Sequence, residues 1–261
     1  MRKRFTKPEQ VETNTEQSQD WKAVARRYAV GMTENTVEAM HSMDPLTDPV
    51  ARQYIPQRDE LKIISEELPD PIGDDVHSPV KGVVHRYPDR VLFSPVNVCA
   101  VYCRYCFRRE KIGPGKDVLS KDERRAALDY IRAHEEIWEV ILTGGDPLVL
   151  SPRQLKDIID ELNTIDHVKV IRIHSRVPIA DPERVTYKLC EALQSEKALY
   201  LALHINHAQE ITSAVRMAVR SLHEAGCVVL SQSVLLKGVN DNAEALEDLF
   251  RALVAMRVKP Y

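Results

Sequence analysis

Short apolar, β-branched runs recur along the chain at nearly constant intervals. They begin near 139 (Glu-Val-Ile-Leu-Thr), 168 (Val-Lys-Val-Ile-Arg-Ile), 199 (Leu-Tyr-Leu-Ala-Leu), 228 (Val-Val-Leu-Ser-Gln) and 258 (Val-Lys-Pro-Tyr), so the steps are 29, 31, 29 and 30 residues. Between them the apolar positions switch to helical spacing. Ser151-Pro152 reads as an N-cap with proline at the first helical position, and Leu155, Ile158, Ile159 and Leu162 form one face behind it. Asp181-Pro182 predicts the same device before Val185, Leu189 and Leu193, and a third helix carries Val215, Val219 and Leu222 before stopping at Gly226. Strands that are apolar at successive positions are buried on both faces, which requires a parallel sheet with helical crossovers. With a further run at 91–98, at least five strand–helix units are expected. The fold class predicted is α/β, a partial TIM-like (β/α) barrel preceded by a helical segment.

The first part of the chain does not share this rhythm. Residues 1–20 are polar and aperiodic and read as a flexible tail. A helical pattern runs from Trp21 to about Glu67, broken at Asp44-Pro45 and Ile55-Pro56, and residues 68–82 are too rich in Pro, Gly and Asp for regular structure. The organisation expected is therefore a tail at 1–20, a helical segment and linker at 21–82, and a barrel from 83 to 261. Val258-Lys-Pro-Tyr261 reads as the start of another strand, whose parallel edge would be open.

Composition narrows the partners. The 261 residues carry a net charge of −3, which gives no electrostatic case for nucleic acid or an anionic surface. No apolar run reaches the length of about 20 residues that a membrane span needs. Met1-Arg2-Lys3-Arg4-Phe5 is not followed by an apolar stretch, so a secretory signal is not expected. Five cysteines, three of them between 99 and 106, suggest reduced, metal-binding thiols in the cytoplasm rather than a disulfide framework.

In a β/α barrel the active residues sit at the C-terminal ends of the strands. Those ends here read Cys99-Ala-Val-Tyr-Cys103-Arg-Tyr-Cys106, then Thr143-Gly144-Gly145-Asp146, His174-Ser175-Arg176, His204-Ile-Asn206-His207, and Gln232-Ser233. Three thiolates in one loop suit an iron–sulfur cluster with one iron left open to a ligand. The competing reading is a structural zinc site, which wants four ligands in paired spacing. Cys190 and Cys227 supply no second pair and read as buried small hydrophobes.

Cys99-x3-Cys103-x2-Cys106, with Phe107 directly after it, resembles the signature of the radical S-adenosylmethionine (SAM) superfamily. From about residue 40 onward the chain resembles lysine 2,3-aminomutase and its relatives, including the enzyme that prepares β-lysine for elongation factor P. The stretches that carry this are His77-Ser-Pro, His85-Arg86-Tyr-Pro-Asp-Arg90, Cys103 to Arg109, Gly144-Gly145-Asp146, Arg172-Ile-His174-Ser175-Arg176, His204-Ile-Asn206-His207, and Gln232 to Asp241.

The resemblance implies a 4Fe–4S cluster on Cys99, Cys103 and Cys106, with SAM on its open iron. Gly144, Gly145 and Asp146 would hold the amino end of SAM, and His204, Asn206 and Gln232 would lie near SAM or a neighbouring cofactor. Arg86 and Arg90 match arginines that grip the phosphate of pyridoxal 5′-phosphate (PLP), and Arg108 the one that pairs the substrate carboxylate. The implied reaction moves the α-amino group of L-lysine, or a similar amino acid, to the β-carbon, with electrons from a flavodoxin or ferredoxin and possible homo-oligomerisation. Lysines of this chain do not match the family's Schiff-base lysine, so the expectation is a C-terminally truncated relative. Two alternatives stay open: a radical SAM enzyme without PLP, and a non-catalytic iron–sulfur protein.

Overall fold

The computed structural model describes residues 4–115 and 118–261. Its centre is a seven-stranded sheet in the order β3 (Val83–Tyr87), β4 (Arg90–Val96), β5 (Glu139–Gly144), β6 (Val170–Ser175), β7 (Ala198–His204), β8 (Val228–Gln232) and β9 (Lys259–Pro260). Two further short strands, β1 (Arg4–Phe5) and β2 (Met32–Thr33), pair with each other. β4 through β9 are mutually parallel, while β3 lies antiparallel on β4. Among the described residues β3 and β9 pair on one side alone, so the sheet is an open arc of barrel-type units rather than a closed ring. The parallel strands begin within about two residues of the expected positions. β3 was not expected; the Pro88-Asp89 turn folds it back along β4.

The crossovers are the helices α4 (Lys121–Ala133), α5 (Pro152–Asn163), α7 (Tyr187–Ala192), α8 (Ser213–Glu224) and α9 (Ala243–Ala255). Ser151 caps α5 by accepting from the Gln154 amide, and Gly226, at φ +86°, ends the run after α8 as read from the sequence. Asp181-Pro182 does not cap α7. Pro182–Arg184 is a single 3-10 turn, and Thr186 caps α7 by accepting from the Leu189 amide. The guanidinium of Arg184 holds that turn on the carbonyls of Leu148 and Leu150, which diverts the chain before the helix can start.

Period-two alternation divides the sheet into two unlike faces. Val140, Leu142, Ile171, Ile173, Leu201, Leu203 and Val229 point into the helix layer and are almost fully buried there. The partners Leu92↔Ile141, Ile141↔Arg172, His174↔Ala202 and His204↔Gln232 stand on the opposite face, which carries polar and charged groups. Burial of the first face stabilises the scaffold, and the second is left for ligands.

The segment read as tail and helices is folded against this second side. Of residues 1–20, the first three lie outside the described residues. Phe5 is buried, and α1 (Thr15–Val24) places Trp21 so that its indole N–H donates to the Thr6 carbonyl. With α2 (Glu34–Glu38) and α3 (Ala51–Tyr54) it forms a second apolar cluster that includes Val101 and, from α6 (Val177–Ala180), Ala180. Hydrophobic contact from Phe5 and Trp21 overrides the polar composition around them.

Candidate active site

Beyond β4 the chain runs irregularly through the three cysteines, and the N-terminal segment holds this loop by its backbone. The Tyr102 amide donates to the Gly31 carbonyl (3.0 Å), the Arg104 amide to the Gln53 carbonyl (2.8 Å), and Arg4 Nη2 to the Cys99 carbonyl (2.7 Å). The Arg104 guanidinium is clamped on the Glu60 carboxylate with a shortest contact of 2.6 Å. Tight backbone pairing also fixes the loop from below. Gly145 N–H donates to the Val96 carbonyl (2.7 Å) and Asp146 N–H to the Val98 carbonyl (3.0 Å). A Cβ on Gly145 would lie 2.3 Å from the Val98 oxygen, so only glycine allows the two segments to approach this closely.

The result is a cavity of about 560 Å³. Cys99, Cys103, Cys106, Arg108, Gly144, Gly145, Asp146, His174, His204 and Gln232 line it, together with apolar groups such as Leu92, Val101 and Ile112. Among the described residues no three Cys, His, Asp or Glu side chains gather around one point as a single ion requires. The thiolates of a polynuclear cluster each take a different iron, so the donor set on one cavity wall suits such a cluster. Burial pushes the Cys99 thiol well above its usual value and Cys106 to about 11, and neighbouring thiols add to both shifts. The free thiols are therefore neutral at pH 7, and metal loading must release protons.

Asp146 is spent on the scaffold. Its Oδ1 accepts from Ser175 Oγ (2.7 Å) and the Leu148 amide (3.0 Å), and its Oδ2 from the amides of Arg176 (2.7 Å) and Val177 (3.0 Å). With four donors on two oxygens the carboxylate ties the end of β5 to the end of β6. The backbone of Gly144 and Gly145 is what remains for a ligand.

Arg176 is the hub beneath the cysteine loop. Its Nε donates to Tyr54 Oη (2.6 Å), Nη2 to Gln53 Oε1 (2.7 Å) and Glu210 Oε2 (2.5 Å), and Nη1 to Tyr105 Oη. Asn206 Nδ2 also donates to Tyr105 Oη (2.7 Å). Both acceptor sites of that phenol are then used, so its O–H donates to His204 Nε2 at 3.3 Å and His204 carries its proton on Nδ1. Burial, with the positive Arg176 and neighbouring His174, lowers the His204 pKa to about 3; burial with Arg172 and Arg108 lowers that of His174 to about 4. Both imidazoles are neutral at pH 7. Nε2 of His174 is buried with no partner among the described residues.

Nine of the residues singled out in the sequence thus line the cavity: the three cysteines, Gly144, Gly145, Asp146, His204, Gln232 and Arg108. Asn206 lies behind it in the Tyr105 network. Arg86 and Arg90 stand near the β3–β4 turn, toward the opposite end of β4. Arg90 forms a two-point ion pair with Asp89 and approaches Glu139 at 3.5 Å, whereas Arg86 donates to the Ile72 carbonyl and lies 3.7 Å from Asp74. Phe107, the aromatic noted after the last cysteine, is half exposed; the buried aromatic is Tyr105. Its place between Cys103 and Cys106 was the available signal. Gln53, Tyr54 and Glu210 carried no signal, because their roles depend on Arg176.

Residues 93–251 match the sequence pattern described as Radical SAM superfamily. Over 218 residues the chain is 42% identical to the L-lysine 2,3-aminomutase of Clostridium subterminale, covering 84% of this chain and 52% of that protein. Over 241 residues it is 38% identical to the L-lysine 2,3-aminomutase of Escherichia coli (strain K12), covering 92% of this chain and 70% of that protein. The chain spans about half the length of the first curated relatives it matches. Among solved structures, Streptococcus suis SuiB bound to precursor peptide SuiA is similar with a TM-score of 0.47 and 14% identity, over 69% of this chain and 40% of that one.

Proposed function

This chain belongs to the radical SAM superfamily and, within it, to the lysine 2,3-aminomutase family, and from that premise we propose that it binds a 4Fe–4S cluster and SAM and works on a free amino acid held by its carboxylate. The observation that carries this is one cavity shared by Cys99, Cys103, Cys106, the Gly144-Gly145 backbone and Arg108. When bound, the cluster and SAM supply hydrogen-atom abstraction from an unactivated carbon.

The residues of the chain do the positioning. Buried thiols give the cluster three soft ligands on one wall. Gly144 and Gly145 present backbone without side-chain bulk, as the amino end of SAM requires, and the four donors on Asp146 keep that backbone still. His204, neutral and oriented by Tyr105, offers an Nδ1 donor. Arg108 offers a planar fork suited to a carboxylate. Apolar walls exclude water from reactive species. The reaction proposed is the amino shift named for the relatives, with L-lysine or a similar amino acid as substrate and a low-potential protein as electron donor.

PLP does not fit the arginines as they are placed. Arg86 and Arg90 are engaged by Asp74, the Ile72 carbonyl, Asp89 and Glu139, and a phosphate would have to displace these partners. The proposal is therefore confined to cluster, SAM and amino acid. Anaerobic reconstitution with iron and sulfide, followed by dithionite and SAM, tests it. Release of 5′-deoxyadenosine is expected, and its absence from a protein carrying full iron overturns the reading.

A further inference from the structure

Arg108 is held from behind by a carboxylate that does not reach the cavity. Nε and Nη2 of Arg108 both donate to Asp74 Oδ2, at 3.1 and 2.9 Å, and the guanidinium lies 4.6 Å from the centre of the Phe107 ring. Asp74 is 8% and Arg108 16% exposed at the side chain, so this pair is shielded from solvent. Arg108 lines the cavity and Asp74 does not. The Nε edge of the fork therefore faces the linker, and the Nη1 end is left for a ligand.

The rest of the linker's hold on this wall is weak. Glu67 meets Arg109 at 3.6 Å, and Lys111 meets Asp70 at 3.6 Å and Asp75 at 2.6 Å. Lys111, Asp75 and Glu67 are more than one-third exposed, where ion pairs contribute little. Ile63, Ile64, Leu68, Ile72 and Val76 of the same stretch point to solvent and add no apolar anchor. Asp74 is the buried contact through which the linker acts on the wall that follows Cys106. Its Oδ1 makes no hydrogen bond and faces Arg86 at 3.7 Å, so a single carboxylate spans two arginines on separate segments.

We infer that Asp74 is a positioning residue for Arg108: it fixes the guanidinium edge-on so that the cavity reads the carboxylate of an amino acid through Nη1. This rests on the reading of Arg108 given above. Charge and geometry make opposite predictions here. A carboxylate beside Arg108 repels a second carboxylate, so removing its charge alone would strengthen anion binding. A loss of affinity on removing it can therefore come only from lost orientation.

The test is calorimetric titration of L-lysine and of cadaverine, the same diamine without the carboxylate, into the reconstituted protein with SAM. The wild-type chain should prefer L-lysine. Asp74→Asn should weaken L-lysine by about tenfold, the scale expected when one long side chain loses its preset orientation, and leave cadaverine unchanged. Asp75→Asn, which breaks an exposed pair of the same linker, should leave both ligands unchanged, and thermal melts verify that each variant is folded. Equal or tighter L-lysine binding in Asp74→Asn overturns the inference, as does an equal loss in Asp75→Asn or in cadaverine. A wild-type chain that does not distinguish the two ligands overturns the reading of Arg108, and the inference with it.

Discussion

Replacing Gly145 by alanine should separate the cysteine loop from the sheet. The added Cβ would sit 2.3 Å from the Val98 oxygen, 2.6 Å from its nitrogen and 2.9 Å from its carbonyl carbon. Ordinary contact needs about 3.5 Å, so roughly 1 Å of movement is required. All three clashing atoms are backbone, and none can rotate away as a side-chain tip could. Overpacking of this kind costs about 1–3 kcal/mol. The bonds from Gly145 N–H to Val96 and from Asp146 N–H to Val98 lie across the same gap, and losing them adds about 1 kcal/mol each. Val98 directly precedes Cys99, so the displacement passes to a cluster ligand. The expected outcome is a loss of about 3–5 kcal/mol in denaturant melts of the metal-free chain and, after anaerobic reconstitution, substoichiometric iron with weakened visible absorbance. Gly226→Ala is the control. That glycine also has a positive φ, +86°, but no atom lies within 4 Å of its added Cβ, so it should lose about 1–2 kcal/mol and bind iron normally. A Gly145→Ala chain that binds full iron and melts with the control would refute the close-approach reasoning.

Other perturbations test the neighbouring groups. Arg176→Met leaves Glu210 buried without its cation and Tyr105 without its strongest donor; a loss of about 3–5 kcal/mol is expected in the same melts, and a loss under 1 kcal/mol would show that the network does not hold the loop. Stability of the metal-free chain should fall in mild acid. His174 and His204 stay neutral in the native state down to about pH 4 and about 3, whereas the unfolded chain takes up protons near pH 6.5. The stability they contribute is thus complete above pH 6.5 and is lost as pH falls through the folded values, by roughly 2 kcal/mol for each site at pH 5. Urea midpoints at pH 7 and pH 5 measure this, and His204→Asn should remove its share of the difference; identical midpoints in the parent chain would contradict it.

Much of the scaffold could be read from the chain because its causes are local. Each parallel strand is a run of β-branched residues, and each crossover helix has its own apolar face and capping residue. Ser151 and Gly226 act within a few residues of themselves, so their signals survive without the fold. The cysteine spacing and the Gly144-Gly145-Asp146 turn were equally legible, as each is a contiguous stretch. Other features required contacts between distant segments. The polar start of the chain is ordered because Phe5 and Trp21 find a shared apolar cluster with Val101, which no window of sequence contains. Asp146 reads as a ligand in isolation, yet the end of β6 brings four donors to its carboxylate and makes it a clasp. Arg176 and Tyr105 lie 71 residues apart and meet because neighbouring parallel strands deliver their loops to the same rim. Asp74 lies in a stretch that composition marks only as irregular, and its bearing on Arg108 follows from the path of the linker. Spacing and periodicity determine which elements form and which loop carries the thiols. Which face of Arg108, Asp146 or His204 meets a ligand is decided by the groups that burial forces against the other face.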